Sequence, residues 1–165
     1  MLLTLSTMPN SKITLGFDPG IAITGYGVLQ GQTVLEYGVI RTPAHTETSQ
    51  RLVQLYVELT ALLKKYPGAV AGCEELFFAK NVTTAFTVGQ ALGIILLTLA
   101  QANIPLLELT PLQVKQSVTG YGKADKTQVQ IMVKTILKLT EVPKPDDAAD
   151  ALAVALATQT YAHTL

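Results

Sequence analysis

Strand-like and helix-like segments alternate along this chain, and their order limits the folds open to it. Segments typical of β-strands occur at residues 12–18, 24–30, 33–40, 69–76 and 104–109. Segments with the apolar spacing of helices occur at residues 48–66, 81–102, 110–118, 126–139 and 147–161. Three strands followed by alternating helices and strands predict an α/β fold: a five-stranded mixed sheet flanked by helices on both faces.

The 165 residues are predicted to form one domain, with residues 1–11 as a loose leader. Hydrophobic residues make up 48% of the sequence and charged residues 15%, which is typical of a compact globular protein. The 12 basic residues equal the 12 acidic ones, so net charge gives no support for binding to nucleic acid or membrane. Six of the basic residues, however, are lysines between positions 115 and 144.

The sequence also predicts a soluble, cytoplasmic protein. Cys73 is the only cysteine, so no internal disulfide can form, and its apolar surroundings predict a buried structural thiol. The longest apolar run, residues 91–100, is too short to span a bilayer, which needs about 20 residues. The first residues lack a basic segment and a small-residue cleavage site, so no signal peptide is predicted.

Four acidic residues occur where this fold brings separate segments together. Asp18 ends the first strand, and Glu74 lies near the end of the fourth. If these strands are parallel neighbours, both carboxylates leave the sheet at the edge where open α/β folds bind ligands. Asp147 and Asp150 are three residues apart at the start of the last helix, so they share one face. Asp146, just before them, is predicted to cap that helix.

Four carboxylates in one place repel one another and raise each other's pKa values, and divalent cations resolve this conflict. Hard oxygen ligands suit Mg²⁺ or Mn²⁺, whereas one cysteine and the isolated His45 and His163 do not make a zinc site. Two such ions about 3.5–4 Å apart are the recurring device for attack of water on a phosphodiester. The carboxylates therefore predict a two-metal nuclease, with Mn²⁺ able to replace Mg²⁺.

Each acid also has an ordinary explanation when it is considered alone. Asp18 precedes Pro-Gly and suits a turn, and Glu74 with Glu75 suits a solvated strand end. The aspartates within residues 146–150 can complement the helix dipole, which is worth about 0.3–1 kcal/mol per charge. That effect does not account for a third acid facing an apolar stripe, so a shared metal site explains the whole set better.

Four blocks of the sequence resemble the RuvC family of bacterial Holliday junction resolvases. They are LGFDPGIAITGYGVL, EELFFAKNVTTAFTVGQALGII, LTPLQVKQSVTGYGKADKTQVQIMV and DDAADALAVALA, in the family's order between residues 12 and 158. The resemblance implies a ribonuclease H-like fold and a homodimer that cuts four-way DNA junctions with Mg²⁺ during recombination and repair. A branch-migration helicase complex is a further candidate partner.

The resemblance also implies roles for individual residues. It places the family's catalytic, metal-binding carboxylates on Asp18, Glu74, Asp147 and Asp150. Phe77 matches an aromatic near the junction centre, where stacking on an unpaired base is worth about 1–3 kcal/mol, although strand alternation allows Phe78 instead. Lysines on the DNA side are candidates for phosphate contacts: Lys115, Lys123 and Lys126.

A homodimer fits the chemistry, because a junction has two-fold symmetry and its resolution requires nicks in two opposed strands. The helix over residues 81–102 has Asn81 or Thr83 as its predicted N-cap and is apolar around most of its circumference. Gly89 and Gly93 in this helix allow close approach. Part of this helix is the predicted dimer interface, and packing between the sheet and the C-terminal helices is the alternative.

Two other functions remain open from the sequence alone. One is an RNA-processing nuclease of the same superfold, against which the lysine-bearing segment TGYGKADK favours the junction enzyme. The other is a non-catalytic junction-binding module, which the four carboxylates oppose because idle acids would repel DNA. An actin-like ATPase or a sugar kinase would need a second nucleotide-binding half, for which 165 residues leave no room.

Overall fold

A computed structural model describes residues 12–75 and 82–162, with the side chains of residues 82–84 left out. These residues form the predicted five-stranded mixed sheet, in the order β3-β2-β1-β4-β5. The strands are β1 Ile13–Asp18, β2 Ile23–Gln30, β3 Thr33–Arg41, β4 Val70–Glu74 and β5 Leu106–Leu109. β2 is antiparallel to β1 and β3, whereas β4 is parallel to β1 and β5. β1 therefore joins the antiparallel half of the sheet to the parallel half.

Helices cover both faces of this sheet, as predicted. They are α1 Thr48–Leu63, α2 Val82–Gln101, α3 Pro111–Thr119, α4 Lys126–Ile136 and α5 Asp146–Tyr161. α1 and α2 pack with Leu15 and Phe17 of β1 on one face, whereas α3, α4 and α5 pack with Leu29 and Leu109 on the other. Among the helices of residues 12–75 and 82–162, none has the length and apolar character that a membrane span requires.

Small residues bring α5 very close to the sheet. A Cβ added at Gly16 would collide with backbone atoms of Ala151 and Ala155, and one added at Gly25 would collide with the carbonyl of Asp147. The buried part of α5 is rich in alanine, so its backbone rests directly on the glycines of β1 and β2. This contact fixes the position of the first turn of α5 relative to the end of β1.

Several predicted boundaries differ from the structure for local reasons. α1 ends at Leu63 rather than at residue 66, where the chain has already turned. α4 ends at Ile136 rather than at residue 139, since Lys138 has a φ of 53°, which an α-helix cannot contain. Thr83 lies inside α2 and is not its N-cap, while Asn81 lies outside the described residues. β4 ends at Glu74, and residue 76 is also outside the described part.

The prediction that Asp146 caps the last helix was wrong. α5 begins at Asp146 itself, Pro145 precedes it, and no side chain there forms a capping hydrogen bond. The extended backbone of Pro145 and the bond from the Ala148 N–H to its carbonyl, 3.0 Å, start the helix one residue early. The Asp146 carboxylate instead lies 3.4 Å from Lys126 Nζ, so an ion pair replaces the expected cap.

Candidate active site

Asp18 and Glu74 lie side by side at the carboxyl ends of two parallel strands. Phe17 pairs with Cys73 in the register between β1 and β4, so the two acids are the next residue along each strand. Both acids are half-buried. The sequence predicted that these two carboxylates meet if β1 and β4 are parallel neighbours, and this pairing is confirmed.

The start of α5 brings the two later acids to the same edge. Asp150 lines one cleft together with Asp18 and Glu74. Asp147, one turn earlier, is close enough for its charge to raise the pKa values of Asp18 and Asp150. The structure therefore brings Asp18, Glu74 and Asp150 into one cleft, whereas Asp147 lies near enough for its charge to affect Asp18 and Asp150 but is not among the described residues that line the cleft.

Burial, with a further contribution from their mutual repulsion, raises the pKa values of three of these carboxylates. Burial, followed by the charges of Asp150, Asp147 and Glu74, raises the pKa of Asp18 to about 7, whereas Lys126 opposes the shift. Burial also raises the pKa of Glu74, to which Asp150 adds, and the pKa of Asp150 despite its hydrogen bond from Lys126. The cluster thus carries more negative charge than it can hold easily without a cation.

Two lysines face these acids. Lys126 Nζ lies 2.9 Å from Asp150 Oδ2, and this hydrogen bond is the main reason why the pKa of Lys126 is raised. Lys115 lines the cleft, where its charge opposes the rise in the pKa of Glu74. Lys123 is exposed in the loop between α3 and α4, and it is absent from the described residues that line the cleft.

Capping boxes fix where the two lysine-bearing helices begin. At α3, the Thr110 hydroxyl accepts from the Gln113 N–H at 3.2 Å, and the Gln113 side chain accepts from the Thr110 N–H at 2.8 Å. At α4, Asp125 and Gln128 form the same pair of bonds at 2.8 and 2.9 Å. A capping box sets the first helical residue, so Lys126 opens α4 beside α5.

The donor atoms at this edge suit a hard divalent cation. Carboxylate oxygens from Asp18, Glu74 and Asp150 line the cleft, and this is the ligand type that Mg²⁺ and Mn²⁺ prefer. Cys73 offers no thiolate, because it is buried, and burial above all raises its pKa to about 12. Within the described residues, no three Asp, Glu, His or Cys side chains are close enough together to coordinate one metal ion as they stand. The donor atoms fit a hard divalent cation, and one candidate ligand, Asp150, forms an ion pair with the Lys126 ammonium.

Other predicted residues fall in different places. Phe77, Phe78 and His163 lie outside the described residues. His45 is exposed between β3 and α1. Glu75 lines the cleft as well, and its backbone N–H donates to the Leu109 carbonyl at 2.8 Å, which attaches it to β5.

The sequence matches the family model described as Crossover junction endodeoxyribonuclease RuvC over residues 14–158. The RuvC protein of Caldicellulosiruptor saccharolyticus is 54% identical over 147 residues, which cover 86% of this chain and 89% of that relative.

The fold matches solved structures as well. Thermus thermophilus RuvC in complex with a Holliday junction substrate is similar with a TM-score of 0.86 and 34% identity, covering 93% of this chain and 96% of that one. The yeast mitochondrial Holliday junction resolvase Ydc2 is similar with a TM-score of 0.64 and 16% identity over 93% and 80% of the two chains, which shows the fold alone. The sheet and its helices thus form the ribonuclease H-like fold expected from the sequence.

Proposed function

Because the chain belongs to the RuvC family of crossover junction endodeoxyribonucleases, we propose that it resolves Holliday junctions by paired, metal-dependent nicks in two opposed strands. This activity serves homologous recombination and DNA repair. The single observation that best supports it is a cleft lined by Asp18, Glu74 and Asp150 with Lys115 and Lys126 beside them. Carboxylates that bind cations, beside lysines that attract phosphate, suit the metal-dependent cleavage of a phosphodiester.

The proposed catalytic ligands are the four carboxylates Asp18, Glu74, Asp147 and Asp150. Two Mg²⁺ ions are the proposed cofactors, with Mn²⁺ as a substitute, and when bound they supply Lewis-acid activation of water and stabilisation of the leaving oxygen. The chain's own part is to hold negative charge at fixed points, on two strand ends and one helix. The raised pKa values of Asp18, Glu74 and Asp150 support this role. They mark carboxylates that are hard to ionise alone, and a nearby cation would favour their ionised form.

The proposed DNA-binding surface is the layer formed by α3 and α4. Residues 110–145 contain six lysines but only two acidic residues, so a chain with no net charge still has a basic segment. Lys115 and Lys126 in the cleft and Lys123 in the loop between the helices are proposed to contact phosphates. Such contacts position DNA without reading its sequence. A contact from Phe77 stays a prediction.

A homodimer is the proposed assembly, with part of α2 as its interface. One side of α2 is buried in the core, but Phe86, Leu96 and Leu97 are exposed by 66%, 40% and 49%. A Cβ added at Gly93, between them, would meet nothing within 4 Å in the single chain. A two-fold dimer through this surface would carry two active sites for two opposed strands. A branch-migration helicase partner stays a prediction from the family resemblance.

The carboxylate assignment is tested by separating cleavage from binding. Asp147→Asn and Asp150→Asn keep the side-chain shape but remove a ligand charge. We expect nicking of a four-way junction to fall at least about 100-fold, because even partners outside the ligand shell cost about 10–100-fold. Junction binding without metal, measured by gel shift, should be retained or strengthened.

The exposed Glu47 provides the matched control, since Glu47→Gln removes one negative charge outside both the cleft and the segment proposed to bind DNA. This variant should cleave normally. Loss of junction binding together with cleavage in the aspartate variants would contradict the assignment.

A further inference from the structure

Lys126 lies between two aspartates that have different parts in the site. Its Nζ is 2.9 Å from Asp150 Oδ2 and 3.4 Å from Asp146 Oδ2. Asp150 belongs to the proposed ligand set, whereas Asp146 does not. Among the ion pairs of the described residues, only those of Lys126 involve the cluster. Lys126 therefore provides the direct charge compensation for Asp150 in this structure.

An ammonium and a divalent cation compete for this carboxylate. Like charges a few ångströms apart repel each other, and the repulsion is stronger in a half-buried cleft than in water. Lys126 bonds Oδ2 of Asp150. The alternative to competition is that Lys126 stays in place and a cation binds the other carboxylate oxygen of Asp150. In that arrangement the lysine would orient the ligand, as partners around metal ligands commonly do.

Three features favour displacement over retention. The Lys126 side chain is 54% exposed, so its ion pair with Asp150 is held weakly. Lysine is a flexible four-carbon side chain that moves its charge without moving the backbone. Asp146, whose side chain is 65% exposed, is already within 3.4 Å and offers a second anchor outside the ligand set.

We propose that Lys126 is an exchangeable counter-cation, which holds Asp150 while the cluster is empty and moves onto Asp146 when a divalent cation binds. This inference depends on the proposed function, since it takes the four carboxylates as cation ligands. It gives Asp146 a role that neither capping nor metal binding supplies. Lys126 and Asp146 are thus positioning residues that set how readily the cluster accepts a cation.

The first test is a Mn²⁺ titration of the full chain without DNA, with free Mn²⁺ measured by electron paramagnetic resonance. Lys126→Gln should bind Mn²⁺ about threefold to tenfold more tightly, where tenfold corresponds to about 1.4 kcal/mol. Lys126→Arg keeps the charge and should bind no more tightly than the wild type. Lys134→Gln, on the same helix but outside the cleft lining, should leave the affinity unchanged.

The outcomes separate this inference from the proposed function. If wild-type protein shows no Mn²⁺ binding that Asp18→Asn removes, the ligand assignment fails and the exchange fails with it. If binding depends on Asp18 but Lys126→Gln leaves it unchanged or weaker, only the exchange fails, and Lys126 is a retained orienting group.

Removing any nearby positive charge strengthens cation binding, so a second measurement follows the lysine itself. Reductive methylation with ¹³C labels each lysine, and the Lys126 signal is identified by its absence in Lys126→Gln. Saturating Mg²⁺ should shift this signal, and Asp146→Asn should change its position in the metal-bound state. A Lys126 signal that stays in place at saturating Mg²⁺ would overturn the exchange.

Discussion

Gly16 on β1 lies directly against the backbone of Ala155 on α5, with no room between them for a side chain. We therefore expect Gly16→Ala to lower the free energy of unfolding by about 1–3 kcal/mol or more, as overpacking does in a dense core. Urea unfolding followed by circular dichroism measures this. An unchanged stability would mean that α5 rests on the sheet less closely than described.

Gly72 on β4 provides a matched comparison, because a Cβ there would meet mainly the side chain of Thr158 rather than backbone. Thr158→Ala should therefore relieve part of the destabilisation caused by Gly72→Ala. The same substitution should not relieve Gly16→Ala, whose obstacle is the backbone of α5. Equal relief in both cases would contradict the assignment of these contacts.

The raised pKa of Asp18 predicts how metal-free stability depends on pH. The pKa is about 7 in the folded protein against an ordinary value of 3.8, so between these values the folded state holds a proton that the unfolded state has lost. The free energy of unfolding should accordingly fall as pH rises from about 4 to about 7, on the order of 2–4 kcal/mol, and then level off. Urea titrations in the presence of EDTA measure this.

Two comparisons isolate the cause of that pH dependence. Asp18→Asn should flatten it, and saturating Mg²⁺ should remove it at neutral pH, since a bound cation favours the ionised carboxylate. A metal-free wild type that becomes more stable from pH 5 to pH 8 would contradict the described burial of Asp18.

The exposed apolar side of α2 predicts that a single charge there breaks the dimer. Leu97→Glu should give a monomer by light scattering, because an unpaired charge buried in an interface is strongly unfavourable. Ile131→Glu is the control, since Ile131 is 51% exposed on α4, which packs on the opposite face of the sheet. Dimers that survive Leu97→Glu but not Ile131→Glu would place the interface on α4.

The order of the strands along the sequence predicted the sheet. The positions of Asp18 and Glu74 at strand ends predicted that their carboxylates meet. Asp18 and Glu74 end strands, and parallel pairing of those strands suffices to bring them together. The ion pair between Lys126 and Asp146 could not be predicted, because it joins two helices with no regular spacing between them. The closeness of Gly16 to α5 was hidden for a similar reason: a sequence shows that a side chain is missing but not what occupies the space.

The most direct test of the central claim is cleavage of a labelled synthetic four-way junction beside linear duplex and single-stranded RNA, with and without Mg²⁺. The account predicts paired, symmetric nicks that appear only in the junction and only with the metal. Metal-dependent cutting of RNA alone would contradict it and indicate a processing nuclease. Tight junction binding without any cutting would also contradict it, and would leave a binding module whose four carboxylates need another explanation.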